Sequence, residues 1–170
     1  MININGKHDE SYRYKMPPIK TSIKNNEVLL NLNDICKYIN QPPILILKFL
    51  SLYFGSKLNE DKMSITGNYS DDDLQKGLQI YINRFVICSS CLVPETIPQL
   101  NKINKKNIKL EQKCSSCGLI SEIKINNKIE DKTSDLIIKY LEKNEWVISN
   151  KGTMVSQNKL KDDNEIDPFS

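Results

Sequence analysis

Two cysteine pairs carry the strongest chemical signal in this sequence: "CSSC" at residues 88–91 and "CSSCG" at 114–118, with residues 92–113 between them. Thiolates are soft ligands, and two Cys-x2-Cys knuckles on neighbouring hairpins can bring four sulfurs to one tetrahedral ion. The pattern predicts a structural Zn2+ held by Cys88, Cys91, Cys114 and Cys117, with iron as the competing ion and a redox dithiol as the competing chemistry. Four protein ligands leave no open position at the metal, which argues against catalysis there. Gly118 suits the sharp turn after the fourth ligand. Residues 86–130 contain few large apolar groups, so the metal takes the place of a core; structural zinc contributes roughly 10–16 kcal/mol of apparent binding energy. Disulfides are the weaker reading for a chain expected in the reducing cytoplasm. Cys36, on an apolar helix face, reads as a small buried hydrophobe. His8, the one histidine, sits in a polar leader without a nucleophile beside it.

A second cluster is "SYRYKMPP" at residues 11–18, where Arg13 lies between Tyr12 and Tyr14 and is followed by Lys15 after one residue. A guanidinium is permanently charged and its planar fork of donors can meet two oxygens at once. Two readings stand side by side: Arg13 stacks on its tyrosines or pairs with a carboxylate of its own domain, or it is offered to a phosphoryl group elsewhere. A third cluster, "NKINKKNIKLEQK", holds Lys102, Lys105, Lys106, Lys109 and Lys113. Those lysines either protect a solvated hairpin edge or face nucleic-acid phosphates.

The elements that must position these groups are legible in outline. "EVLLNL" at 27–32 predicts a strand, followed by a short helix "DICKYIN" capped by Asn33 or Asp34 and stopped by Pro42. A second, largely apolar helix over 43–54 ends at Gly55. "DKMSITG" predicts a strand with Met63 and Ile65 on one face and Lys62 and Ser64 on the other. In "SDDDLQKGLQIYINRF", Ser70 caps a helix whose apolar positions run Leu74, Leu78, Tyr81, Ile82 and Phe85, with Gly77 read as an exposed interior glycine. The resulting expectation is an α+β fold. A flexible leader (1–26) precedes a small alpha/beta subdomain (27–85), a four-cysteine zinc ribbon (86–130), a helix (131–148) and a disordered tail (149–170).

With 24 basic and 21 acidic residues the formal charge is +3, too small to imply nucleic-acid binding alone. The longest apolar run, "ILILKFLSLYF", is broken by Lys48 and is too short for a membrane span, so no membrane association is expected. No glycine-rich phosphate loop or internal repeat is present. An enzyme with its own active site is therefore not expected.

Taken together, "YRYKMPP", "FVICSSCLVPET" and "CSSCG" resemble the N-terminal domain of eukaryotic translation initiation factor 5, and more distantly the beta subunit of initiation factor 2, over Tyr12 to Asn144. The resemblance implies an alpha/beta subdomain joined to a zinc ribbon. It also implies stimulation of GTP hydrolysis by the gamma subunit of initiation factor 2, in the company of initiator tRNA and the small ribosomal subunit, and the chain is expected to act as a monomer. By position, Arg13 would be an arginine finger supplied in trans, with Tyr12, Tyr14 and Lys15 in support. Such a finger accelerates hydrolysis by roughly 1,000- to 100,000-fold, or about 4–7 kcal/mol of barrier.

Three departures are visible. "IKNNE" replaces a glycine-rich turn bearing a lysine, leaving Lys24 as its nearest counterpart. Leu52 stands where a lysine is usual before Tyr-Phe-Gly, with Lys48 one turn away. The family's helical-repeat domain is expected to be missing, the sequence ending at Ser170. These departures keep open a non-activating competitor or start-codon fidelity factor, and a beta-like subunit.

Overall fold

The computed structural model describes residues 1–146. The tail expected from 149 lies outside them. The chain opens with β1 (Ile2–Asn3) paired antiparallel to β2 (Lys15–Met16). Next comes a hairpin of β3 (Thr21–Lys24) and β4 (Glu27–Leu30), joined by Asn25 and Asn26 with φ of 52° and 60°. Two consecutive left-handed residues give the turn whose twist matches antiparallel strands, and asparagine tolerates that conformation.

Helices α1 (Leu32–Ile39) and α2 (Pro43–Phe54) follow, then β5 (Leu58–Asn59) and β6 (Ser64–Thr66), which complete a sheet of order β3-β4-β6-β5. The sheet carries α2 against it, and α3 (Asp71–Tyr81) packs on α2. Ser70 caps α3 as expected, its Oγ accepting from the Asp73 N–H at 3.1 Å. The core centres on Met16, Val28, Leu32, Ile35, Ile46, Phe49, Leu50, Ile65, Leu78 and Tyr81.

Several sequence expectations are corrected. The leader is ordered: Ile4, Met16 and Ile19 are buried in the core, and β3 begins before residue 26. Its backbone is held by side chains of the body. Asn31 accepts from the Lys20 N–H at 2.9 Å and donates to the Pro18 carbonyl at 3.1 Å, while Gln75 accepts from the Ile19 N–H at 2.8 Å. Asn31 also stands at the N-cap of α1, in place of Asn33 or Asp34, but makes no side-chain cap because its amide is committed to the leader. Met63 lies in a left-handed turn (φ 53°) outside β6, and Ser64 is as buried as Ile65, donating to Glu27 at 3.2 Å. Gly77 is buried, not exposed: a Cβ there would stand 3.1 Å from Leu50 Cδ2 and 3.3 Å from Phe54 Cε2. Its missing side chain lets α3 approach α2.

Beyond Tyr81 the helix widens into one π turn, Ile82–Val86. The ribbon follows as β7 (Thr96–Lys102), β8 (Ile108–Cys114) and β9 (Ile120–Glu122) in sheet order β7-β8-β9. Carbonyls freed at the π turn are satisfied by the ribbon: Thr96 Oγ1 donates to Val86 O at 2.6 Å, and Gln112 Nε2 to Phe85 O at 3.1 Å. The last helix, α4 (Lys128–Lys143), starts three residues earlier than expected. Asn127 accepts from the Glu130 N–H at 2.8 Å and Glu130 accepts from the Asn126 N–H at 2.9 Å, a reciprocal cap that sets the earlier start. Thr133 bonds back to the Ile129 carbonyl inside the helix. The described chain ends with Trp146 donating to the Asn40 carbonyl at 3.1 Å, so α4 runs antiparallel to α2. Among the described residues no helix is long and apolar enough to cross a membrane.

Candidate functional site

The two cysteine pairs fold into a matched pair of knuckles. In the first, Leu92 N–H donates to Cys88 O at 3.0 Å and Cys88 N–H to Val93 O at 3.0 Å. In the second, Gly118 N–H donates to Cys114 O and Cys114 N–H to Leu119 O, both at 2.9 Å. Backbone N–H groups also point at sulfur, from Ser90 to Cys88 Sγ at 3.4 Å and from Cys117 to Cys114 Sγ at 3.5 Å. The residue after each second cysteine is left-handed: Leu92 at φ 62° and Gly118 at φ 79°. Glycine takes that conformation freely, whereas leucine is strained by it. Sequence reasoning found the glycine; the knuckle repeat is what marks Leu92.

All four sulfurs lie within 4.8 Å of one another, with Cys91 to Cys114 at 3.5 Å and Cys88 to Cys117 at 3.7 Å. Tetrahedral thiolates about 2.3 Å from a common ion stand roughly 3.8 Å apart, so this donor set fits one metal ion. Burial pushes the Cys91 thiol up to about 12. Cys88 feels burial too, but the N–H groups of Cys91 and Ser90 outweigh it and hold the thiol at about 7. Four thiolates this close repel one another, and a dication relieves that repulsion while satisfying every sulfur. Cys36 stands apart: it is buried in the core and burial pushes its thiol up, which suits a small apolar residue and not a nucleophile.

The tyrosine and arginine cluster lies on the first knuckle. Tyr14 Oη donates to the Glu95 carboxylate, and Tyr12 Oη reaches the Leu92 carbonyl at 3.4 Å. The two rings meet edge to face with centroids 5.7 Å apart. Burial first, then the bond to Glu95, raises the Tyr14 phenol to about 12, so it remains a donor at neutral pH. Side chains alternate along this stretch: Tyr12, Tyr14 and Met16 turn inward, and Arg13 is left exposed. Among the described residues no carboxylate is within ion-pair distance of its guanidinium. Lys15 is engaged, donating to Asn3 Oδ1 at 2.6 Å. Lys24 sits exposed beside the Asn25–Asn26 turn.

The five hairpin lysines do not share one face. Lys109 and Lys113 alternate with Glu111 on the outer side of β8, and Lys109 is paired with Glu122 at 3.5 Å. Lys102 opposes Ile108 on the other side of the hairpin, while Lys105 and Lys106 occupy its exposed tip.

Sequence reasoning missed the ion pair that docks α4. Arg84 Nε lies 3.1 Å from the buried Glu130 carboxylate, a contact carried by charge because the N–H is poorly aligned for a hydrogen bond. The charged pair at 84 and 130 has no local spacing that would have announced it.

An α+β body with an ordered N-terminal strap and a four-cysteine ribbon is the class of protein defined here. The family described as a domain found in initiation factors 2B and 5 matches residues 5–120, and the chain belongs to that family. It is 34% identical over 119 residues to a probable eukaryotic translation initiation factor 5 of Schizosaccharomyces pombe, covering 65% of this chain and 29% of that protein. It is 33% identical to eukaryotic translation initiation factor 5 of Dictyostelium discoideum, over 71% of this chain and 31% of the relative. The Saccharomyces cerevisiae factor 5 is 32% identical over 72% of this chain and 31% of its own length. The matches thus span about three tenths of these relatives. The resemblance to the N-terminal domain of factor 5 is borne out at the level of the family.

Proposed function

We propose that this domain acts in translation initiation by presenting Arg13 to the GTP-binding gamma subunit of initiation factor 2, stimulating hydrolysis in trans without an active site of its own. The observation that carries this reading is the exposed Arg13 guanidinium, free of ion pairs among the described residues and flanked by two tyrosines, Tyr12 bonded to the first cysteine knuckle and Tyr14 to Glu95 in the loop that follows it. An arginine finger works by meeting charge that develops on the transferring phosphoryl oxygens, so it must be both unsatisfied at home and held in place. The Tyr12 and Tyr14 contacts supply the second requirement at little entropic cost on docking. Cys88, Cys91, Cys114 and Cys117 would hold one structural Zn2+, which would keep the knuckle beneath Tyr12 rigid. Initiator tRNA and the small ribosomal subunit are the remaining proposed partners, with Lys105 and Lys106 at the hairpin tip the best placed of the five lysines for phosphate.

The test is single-turnover GTP hydrolysis by initiation factor 2 bound to initiator tRNA on small subunits, with the wild-type chain, Arg13→Ala or Arg13→Lys. Stimulation is expected from the wild type alone, with binding retained by all three. A second reading, occupancy without activation, is favoured by Leu52 at the position of a usual lysine; binding without stimulation by the wild type would establish it and overturn the first.

A further inference from the structure

A groove of about 390 Å³ runs between α2 and α4. Leu52 and Leu136 form its apolar floor, and Lys48, Lys132 and Lys139 stand around it with a single carboxylate, Asp135. Among the described residues none of these three ammonium groups is in an ion pair. An apolar cleft rimmed by unpaired cations fits an acidic segment that also carries apolar side chains.

The chain itself contains one. Residues 147–161 hold no Asp or Glu, and then "DDNEIDPF" at 162–169 gathers Asp162, Asp163, Glu165 and Asp167 around Ile166 and Phe169. We propose that this acidic segment docks in the α2–α4 groove of its own chain, its carboxylates on Lys48, Lys132 and Lys139 and Ile166 or Phe169 over Leu52 and Leu136. Reach does not oppose this. Trp146 is bonded at Asn40, just before α2, and Lys48 to Leu52 lie roughly 8–14 Å along that helix at about 1.5 Å per residue. The chain from Trp146 to Asp162 can extend to roughly 50 Å at about 3.3 Å per residue. Tethering also holds the segment at an effective concentration on the order of millimolar, so a modest intrinsic affinity suffices. The docked segment would cover cations otherwise available to phosphate. This inference stands apart from the role of Arg13.

Zero-length carbodiimide coupling of carboxylates to amines in the full chain, read by mass spectrometry, tests it. The expected products are monomer-mass links from Asp162, Asp163 or Glu165 to Lys48, Lys132 or Lys139. They should be lost in K132E/K139E and return, with the residues exchanged, when D162K/D163K is added. Lys132 and Lys139 are exposed, and circular dichroism checks that the variants remain folded. Links spread equally to Lys105 and Lys106 would overturn the proposal. So would links found only in dimer-mass product, which would give the groove to a second copy. Protection of the groove lysines by a single-stranded RNA oligonucleotide, without tail links in its absence, would assign it to nucleic acid instead.

Discussion

Tyr14 Oη donates to the Glu95 carboxylate, joining the N-terminal strap to the loop between the first cysteine knuckle and β7 across 81 positions of sequence. This contact sets the local direction of the strap beside Arg13. Replacing Tyr14 by Phe keeps the ring and removes the donor, and is expected to cost about 1–2 kcal/mol, since bonds to charged acceptors exceed neutral ones. Urea denaturation of wild type and Tyr14→Phe measures it. The phenol is raised to about 12 in the folded chain against an ordinary value near 10, so its contribution is full below about pH 10 and declines as pH rises through the folded value. Tyr14→Phe should abolish that part of the alkaline decline.

The metal prediction follows from the sulfur geometry. One equivalent of zinc per chain is expected by atomic emission, and Cys114→Ser should lower it while leaving the core around Phe49 and Tyr81 folded. Thiolates must lose protons to bind, so affinity falls as pH falls. Chelation should open residues 88–122 to proteolysis before the helical body.

Leu92 provides a stabilising substitution. Its φ of 62° is one that glycine adopts freely, and the residue is 55% exposed, so little packing is forfeited. Leu92→Gly is expected to stabilise the ribbon by about 1 kcal/mol, the strain relieved exceeding the entropy lost. Slower zinc release to a chelator would report it; faster release would mean the leucine packs in a way its exposure does not suggest.

Arg84 and Glu130 dock α4 on the π turn. The glutamate is almost fully buried while the arginine is 35% exposed, so solvent screening reduces the loss expected for a fully buried pair. Arg84→Met should cost roughly 2 kcal/mol. Glu130→Ala should cost more because it also removes the cap on the Asn126 N–H. A double variant less destabilised than the sum of the singles would demonstrate their coupling.

The cysteine pairs, the Ser70 cap and the apolar faces of α2 and α3 were legible in sequence because each depends on residues a few positions apart. Chelation needs Cys-x2-Cys, capping needs an oxygen three residues before its N–H, and helical faces repeat every turn. The short pairings Ile2–Met16 and Asn3–Lys15 show no periodicity, since two residues cannot display one, and so the strap read as flexible. Gly77 looked like a local helix weakness; only the approach of Leu50 and Phe54 explains it.

By itself, then, the sequence determined the four cysteines whose sulfurs fit a metal ion, the helix and strand types of the longer elements, and the Tyr-Arg-Tyr-Lys cluster, all through local spacing and side-chain chemistry. Only the tertiary structure decided that the strap lies on the first knuckle, that Arg13 alone of its cluster faces outward without a partner among the described residues, and that Lys48, Lys132 and Lys139 meet at one groove. Those relationships join residues far apart in the chain, and they exist only once burial of the core has fixed where each element lies.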